Sequence, residues 1–249
     1  MSEKQTSTRH HSADNNGGLV VLGACLLAGL WIAGNKLADA ALEVKALERT
    51  VVVKGLAERE VPADIAIWPI TFRVASNELE TLFATIQRNN AVVEAFLAGH
   101  GFDEDEISVA PPEVVDVLAQ QYGNTNQVNF RYRAGSTVTV YSSDVTAVRR
   151  AMADTVALGK RGVATAGQDY ENRTQFLFTG LSALKPEMIQ DATTKARAVA
   201  RKFAEDSDSR LGKIRRASQG QFSISDRDSK TPHIKKVRVV STIEYYLVD

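Results

Sequence analysis

IAIWPITFRVASNELETLFATIQRNNAVVEAFLAGHG, residues 65–101, passes from a strand pattern to a helix pattern within a few residues, and that step decides the fold class. Residues 65–74 are rich in β-branched and aromatic side chains, as a half-buried strand requires. Asn77 can then cap a helix, with Glu80 three residues on to complete a capping box. Leu79, Leu82, Phe83, Ile86, Val93, Phe96 and Leu97 recur on one helical stripe, and Gly99 and Gly101 end it. Pro69 cannot donate to a ladder, so the strand is expected to run along an edge or to bulge there.

The same alternation extends outward. Upstream, Val51, Val52 and Val53 begin a first strand that closes near Gly55, and a charged turn over residues 58–64 joins it to the second. Downstream come an acidic turn (103–106), an extended segment (107–118) broken by Pro111 and Pro112, and a polar loop (120–127). A strand follows over 128–141, with Phe130 and Tyr132 on one face, Val138 and Val140 on the other, and a bend at Gly135. Ser143 or Asp144 opens a second helix with Val145, Val148, Met152 and Val156 inward and Gly159 as its stop. A short strand (175–178) precedes a third helix with Pro186 in its first turn and Ile189, Ala192, Ala196, Val199, Ala200 and Phe203 as its buried face. Two strands, 214–224 and 236–248, complete the chain; in the last, Val237, Val239 and Ser241 alternate with Arg238, Val240 and Thr242. The order ββα-ββα-β-α-ββ predicts an α+β fold, a mixed sheet with packed helices, rather than a doubly wound parallel sheet.

Composition agrees with a globular domain: of 249 residues 44% are hydrophobic and 24% charged, with 30 basic residues against 30 acidic ones. Zero net charge removes the simplest argument for nucleic-acid binding, and no nucleic-acid partner is expected. One cysteine excludes an internal disulfide framework. Residues 17–34 (GGLVVLGACLLAGLWIAG) carry no charge, and Leu19, Val20, Val21, Leu22, Leu26, Leu27, Leu30, Trp31 and Ile32 supply the apolar bulk of a membrane helix. We therefore divide the chain into a disordered polar tail (1–16), a transmembrane signal-anchor (17–38), a linker (39–47) and an α+β domain (48–249), with the lipid bilayer as partner of the helix. Two alternatives stand beside the uncleaved anchor. Ala38-Asp39-Ala40 reads as a small-x-small signal cleavage site, and Leu22-Gly23-Ala24-Cys25 as a lipoprotein box. Basic residues flank both ends of the segment and set no orientation; its position ahead of everything large fits export of the C-terminal domain.

Several short motifs occur in a fixed order: Val51-Val52-Val53-Lys54-Gly55, then Val61-Pro62-Ala63-Asp64-Ile65-Ala66, then Gly101-Phe102 leading to Ile107. Lys195-Ala196-Arg197-Ala198-Val199-Ala200 and Leu211-Gly212-Lys213-Ile214 follow, and residues 221–228 with Asp226 and Arg227, Thr231-Pro232 and 237–240 close the set. In this order and spacing the chain resembles the SIMPL-domain family of bacterial envelope proteins, in its membrane-anchored branch, over about residues 48–248. Family members often carry Pro directly before the Asp of the second strand, whereas Ala63 separates Pro62 from Asp64 here. The resemblance implies an exported α+β domain at the bacterial inner membrane, on its periplasmic side, self-assembly in some members, and a loose link to envelope or oxidative stress. It implies no catalytic residues.

The residues themselves carry no catalytic signature. Phosphate-binding, dinucleotide, nucleophile-elbow and zinc-protease motifs are all missing from the sequence, so no enzyme activity, cofactor or metal is expected. His100, between two glycines, reads as a helix cap, and His233 as a loop residue. Asp64 and the Asp226-Arg227-Asp228 turn could meet in a polar site, with structural ion pairing as the simpler outcome. Trp68, Phe130, Tyr132 and Phe176 are the aromatics that would line a small-molecule pocket, whose ligand the sequence does not identify. Charge is segregated: residues 76–118 hold nine acids and one base, whereas 195–238 hold thirteen bases and five acids. Asp103, Glu104, Asp105 and Glu106 against Lys235, Lys236 and Arg238 are therefore candidate contacts of a head-to-tail homo-oligomer. The leading expectation is a non-enzymatic, self-assembling envelope protein; the alternative is a ligand-binding or sensing module outside the inner membrane.

Overall fold

The structure, a computed structural model, describes residues 15–46, 49–119, 129–167 and 172–248. The polar loop at 120–127, the start of the following strand at Val128 and residues 1–14 of the tail lie outside the described residues. The fold is a mixed α+β arrangement of five α-helices and nine strands in two sheets among the described residues. Contact density divides the chain into two compact units, one of residues 1–54, 196–218 and 242–249, the other of 55–195 and 219–241.

Helix α1 runs over Asn15–Ala46, 32 residues. It includes the last two residues assigned to the tail and nearly all of the stretch read as a linker. The reason is compositional: after Gly34 the sequence is rich in Ala, Leu, Glu and Lys, good helix formers, with no glycine or proline to stop it. Strand β1 (Thr50–Pro62) is likewise longer than expected. The charged residues at 58–60 belong to it and not to a turn, because strict alternation leaves Glu58 and Glu60 exposed while Val53, Gly55 and Ala57 are buried. Gly55 thus sits inside the strand rather than at its end.

The second unit is built on β2 (Ile65–Ser76) and β5 (Tyr132–Ser142), which pair antiparallel from Ala66 opposite Ser142 to Ser76 opposite Tyr132. Short strands β3 (Ile107–Val109) and β4 (Glu113–Asp116) add to β5, and β6 (Gln175–Leu177) to the other side of β2, giving the order β3-β5-β2-β6 with β4 also on β5. Pro111 and Pro112 separate β3 from β4, as their missing donors require. β2 is not an edge strand, but β6 pairs it only over residues 65–67, so Pro69 needs no donor toward that side.

Helix α2 (Leu79–Gly99) buries Leu82, Ile86, Val93, Phe96 and Leu97, while Leu79 and Phe83 at its start stay exposed. Its N-cap is Glu78, not Asn77. The Asn77 Oδ1 instead accepts a hydrogen bond from the Arg131 backbone N–H at 3.0 Å, a tertiary contact that local patterning cannot reveal. His100 caps the C-terminus, and Gly101 follows at φ +89°, where a side chain would be strained. The acidic turn forms one 3-10 turn over Glu104–Glu106, with the Asp103 N–H donating to Glu106 Oε2.

The second predicted helix is two. α3 (Val145–Ala153) begins at Asp144, whose carboxylate accepts from the Ala147 N–H, and α4 (Val156–Lys160) follows after a break at 154–155. The break rotates Val156 out of the stripe to 69% exposure, and the stop is Gly162, at φ +87°, rather than Gly159. The core of this part joins Trp68, Ile70 and Phe72 of β2 with Phe96, Leu97, Val138, Val140, Val148, Leu158 and Phe176.

Helix α5 (Leu181–Asp206) places Pro186 in its second turn rather than its first. Its buried stripe is Met188, Ala192, Ala196, Ala200 and Ala204, spaced by four; Val199 and Phe203, expected inside, are exposed. In the second unit Met188 and Ala192 pack with Ala57, Val237 and Val239. In the first, Ala196 and Ala200 pack with Val53, Ile243 and Tyr245. Alanine lets a helix approach a sheet closely, and the price is a small buried area per residue. The sheet behind it has the order β1-β9-β7, where β7 is Arg210–Gln219 and β9 is Ile234–Val248; β8 (Ser223–Asp226) also pairs β9. The single strand expected over 214–224 is therefore split at residues 220–222. The Gly220 N–H donates to the Val240 carbonyl at 2.8 Å, and a Cβ at Gly220 would lie 2.8 Å from that same oxygen.

Candidate functional site

Three features could carry function: the N-terminal helix, the turn region around residues 226–235, and the charged surface. On α1 the segment Val20–Leu42, 23 residues with mean hydropathy 1.7, has none of its side chains buried. At 1.5 Å per residue it is about 35 Å long, enough to cross a hydrocarbon core of about 30 Å. Val20, Val21, Leu22, Leu26, Leu27, Leu30, Trp31 and Ile32 are all more than half exposed; the side chain of Leu19 lies outside those described. Cys25 is exposed on the same helix.

Asp64 follows Pro62 at the two-residue turn between β1 and β2. The Ala63 N–H donates to the His233 carbonyl (2.9 Å) and the Asp64 N–H to the Leu177 carbonyl (2.8 Å). The Asp64 carboxylate accepts from the N–H and hydroxyl of Thr179 and from the Gly180 N–H at 2.8–3.1 Å, so it fastens the entry to α5. The Asp226-Arg227-Asp228 turn lies beside it through His233, yet each carboxylate has its own structural work. Asp228 accepts from the backbone of Lys230 and Thr231 and pairs with the Thr231 hydroxyl and the Arg227 Nε. Arg227 also reaches Glu60. These contacts hold the Asp228 carboxyl well below the usual carboxylate range, the Thr231 hydroxyl first and Arg227 next. Asp226 pairs with Lys235. Asp64 and the turn thus meet as neighbouring hydrogen-bond networks, not as a carboxylate pair. Of the other motif residues, Gly101 ends α2, while Ala196 and Gly212 belong to the first unit, where a Cβ at Gly212 would lie 2.9 Å from the Tyr246 carbonyl oxygen.

A cavity of about 510 Å³ lies between β6 and the 226–235 segment. Its lining includes Phe176, Leu177, Met152 and Pro232 with three charged residues, Arg173, Asp226 and Lys235. Lys235 is 8% exposed. Sequence reasoning placed it among surface charges, although the alternation that buries Val237, Val239 and Ser241, carried one step back, includes residue 235. His233 stacks edge-on against Phe176 at 6.0 Å, and its pKa is lowered by burial first and then by Arg149 and Arg227, against an opposing pull from Asp228. Of the four aromatics named as pocket candidates, only Phe176 lines this cavity. Trp68 is in the core and borders a smaller recess, Phe130 is exposed, and Tyr132 packs with Leu82, Ile86 and Ala134. His100 is structural: its Nδ1 lies 2.9 Å from the Phe96 carbonyl and its ring rests on Phe96.

Among the described residues no ion pair joins the acidic block to the basic one. The bases pair near at hand: Lys195 with Asp191, Lys202 with Asp206, Arg215 with Glu244 and Arg238 with Glu58. In the acidic block Asp116 pairs with Arg131 at 2.9 Å. Asp103, Glu104 and Asp105 are exposed. Of the basic residues expected at an assembly contact, Lys235 is buried against Asp226, whereas Lys236 is half-buried and Arg238 is exposed.

A family model described as SIMPL, protein of unknown function (DUF541), matches residues 51–242. Among curated proteins no sequence matches at a significant level.

Proposed function

The chain belongs to the SIMPL family, and from that premise we propose that it is a non-enzymatic envelope protein, held in the bacterial inner membrane by one uncleaved helix, whose periplasmic domain self-assembles. The observation that carries the reading is the α1 segment Val20–Leu42, apolar throughout its middle and without a single buried side chain. In water such a surface is unfavourable by about 25 cal/mol per Å², and a bilayer relieves it. A candidate membrane helix followed directly by a folded domain supports export of that domain. The acidic surface without partners in the basic block supports association between copies. A role under oxidative stress would be structural, since the sole thiol, Cys25, lies on the apolar helix.

Membrane insertion and topology are tested together. The full chain should stay in the membrane pellet through alkaline carbonate, and a cysteine introduced at the exposed Ser223 should react with a membrane-impermeant maleimide in cells with a permeabilised outer membrane. Release by carbonate, or labelling only after lysis, overturns the anchor or its orientation.

A further inference from the structure

We propose that the cavity between β6 and the 226–235 segment binds a small organic anion, a carboxylate or phosphate ester on a compact apolar body, through the Lys235 ammonium and the Arg173 guanidinium. This goes beyond the assembly reading and does not depend on it.

The first observation is the state of Lys235. Its side chain is about nine-tenths buried and ends in an ammonium with three protons, and among the described residues it has one acceptor, Asp226, which is itself on an exposed strand. A desolvated cation with donors to spare is costly, and an anion in the adjoining space completes its coordination. The second is Arg173, which also lines the cavity and has no carboxylate partner among the described residues. Two cations against one carboxylate leave the lining net positive. The third is the wall itself. The Arg227 N–H donates to the Ile234 carbonyl and the Ile234 N–H to Thr231, and Asp228 fastens Lys230 and Thr231 from inside the turn. That side of the cavity is therefore tied down before any ligand arrives, which removes an ordering cost from binding. Met152, Leu177 and Pro232 supply apolar surface for the body of the ligand, and about 510 Å³ falls in the range of small-molecule sites.

The test uses the full chain in nanodiscs of zwitterionic lipid, titrated by ¹⁹F NMR with 4-fluorobenzoate and 4-fluorophenyl phosphate, and with 4-fluorobenzyl alcohol as the neutral analogue; empty nanodiscs give the background. Saturable binding of at least one anion with Kd below about 1 mM is expected, at least tenfold tighter than the alcohol, and the preferred anion assigns the ligand as carboxylate or phosphate. Arg173→Gln, at an exposed position that leaves the Lys235–Asp226 pair intact, should weaken binding about tenfold, the size of a lost charge-assisted hydrogen bond. Lys235→Met should abolish it. Absence of saturable binding, equal binding of the alcohol, or an unchanged titration in Arg173→Gln overturns the proposal. Light scattering on the same samples reports oligomer mass separately, so failure here and failure of self-assembly are distinguishable.

Discussion

Glycines 212 and 135 look alike in the sequence, each inside a strand, but their surroundings differ. A Cβ at Gly212 would meet the Tyr246 carbonyl oxygen at 2.9 Å and its Cβ at 3.2 Å, whereas nothing lies within 4 Å of one at Gly135. Gly212→Ala should therefore destabilise by about 1–3 kcal/mol in chemical unfolding, and Gly135→Ala by a few tenths at most; equal effects would contradict the packing described. His233 sets a pH dependence. Burial and two arginines lower its folded pKa below the unfolded value of about 6.5. The unfolded chain then binds the proton first, so stability is fully present above that pH and falls as pH drops below it. Melting temperature should decline between pH 7 and pH 5, less steeply in His233→Asn than in the wild type; parallel curves would remove the ring from the account. Asp64 was legible in the sequence as a motif position, but its role was not, because Thr179 and Gly180 lie more than a hundred residues away. Asp64→Ala should cost about 1–2 kcal/mol.

At the scale of elements, patterning identified the helical segments, though not the break between α3 and α4, and the course of most strands, and it failed where a neighbour rather than the local sequence decides. The charged run 58–60 reads as a turn until β9 is known to continue beside it; Asn77 reads as a cap until Arg131 claims its oxygen. Helix α5 is the instructive case. Hydrophobicity favours Val199 and Phe203 as core, yet the stripe that faces the sheet is Ala192, Ala196, Ala200 and Ala204, because the close approach admits only a methyl group. Ala196→Leu should therefore lose about 1–3 kcal/mol, while Phe203→Ser, at 55% exposure, should shift stability by less than about 0.5 kcal/mol. The reverse ranking in thermal unfolding would mean that the helix turns its other face inward. The cavity was the least legible part of the candidate site. Its walls come from β6, the 226–235 segment and Met152, and only the aromatic Phe176 was anticipated.

At the scale of the whole molecule the chain is electrically neutral, but its charge is unevenly placed along the sequence. Self-assembly through the acidic turn predicts that the mass of the detergent-solubilised full chain, measured by light scattering, falls as salt rises, since exposed charges are screened beyond about 10 Å at 0.1 M. Reversing Asp103, Glu104 and Asp105 to Lys should reduce the mass at low salt. A monomer under all conditions would end the assembly reading and leave the anion cavity as the chain's main functional feature. On the anchored reading proposed above, α1 also limits the domain's reach. The apolar span ends at Leu42 and β1 begins at Thr50, and α1 continues to Ala46, so four of the seven intervening residues are helical and the segment reaches well short of the ~25 Å that seven extended residues would span. A domain tethered in this way would search for partners in two dimensions. Copies would then meet at the high local concentration of a crowded surface rather than by diffusion through the surrounding volume, so weak contacts between them would suffice.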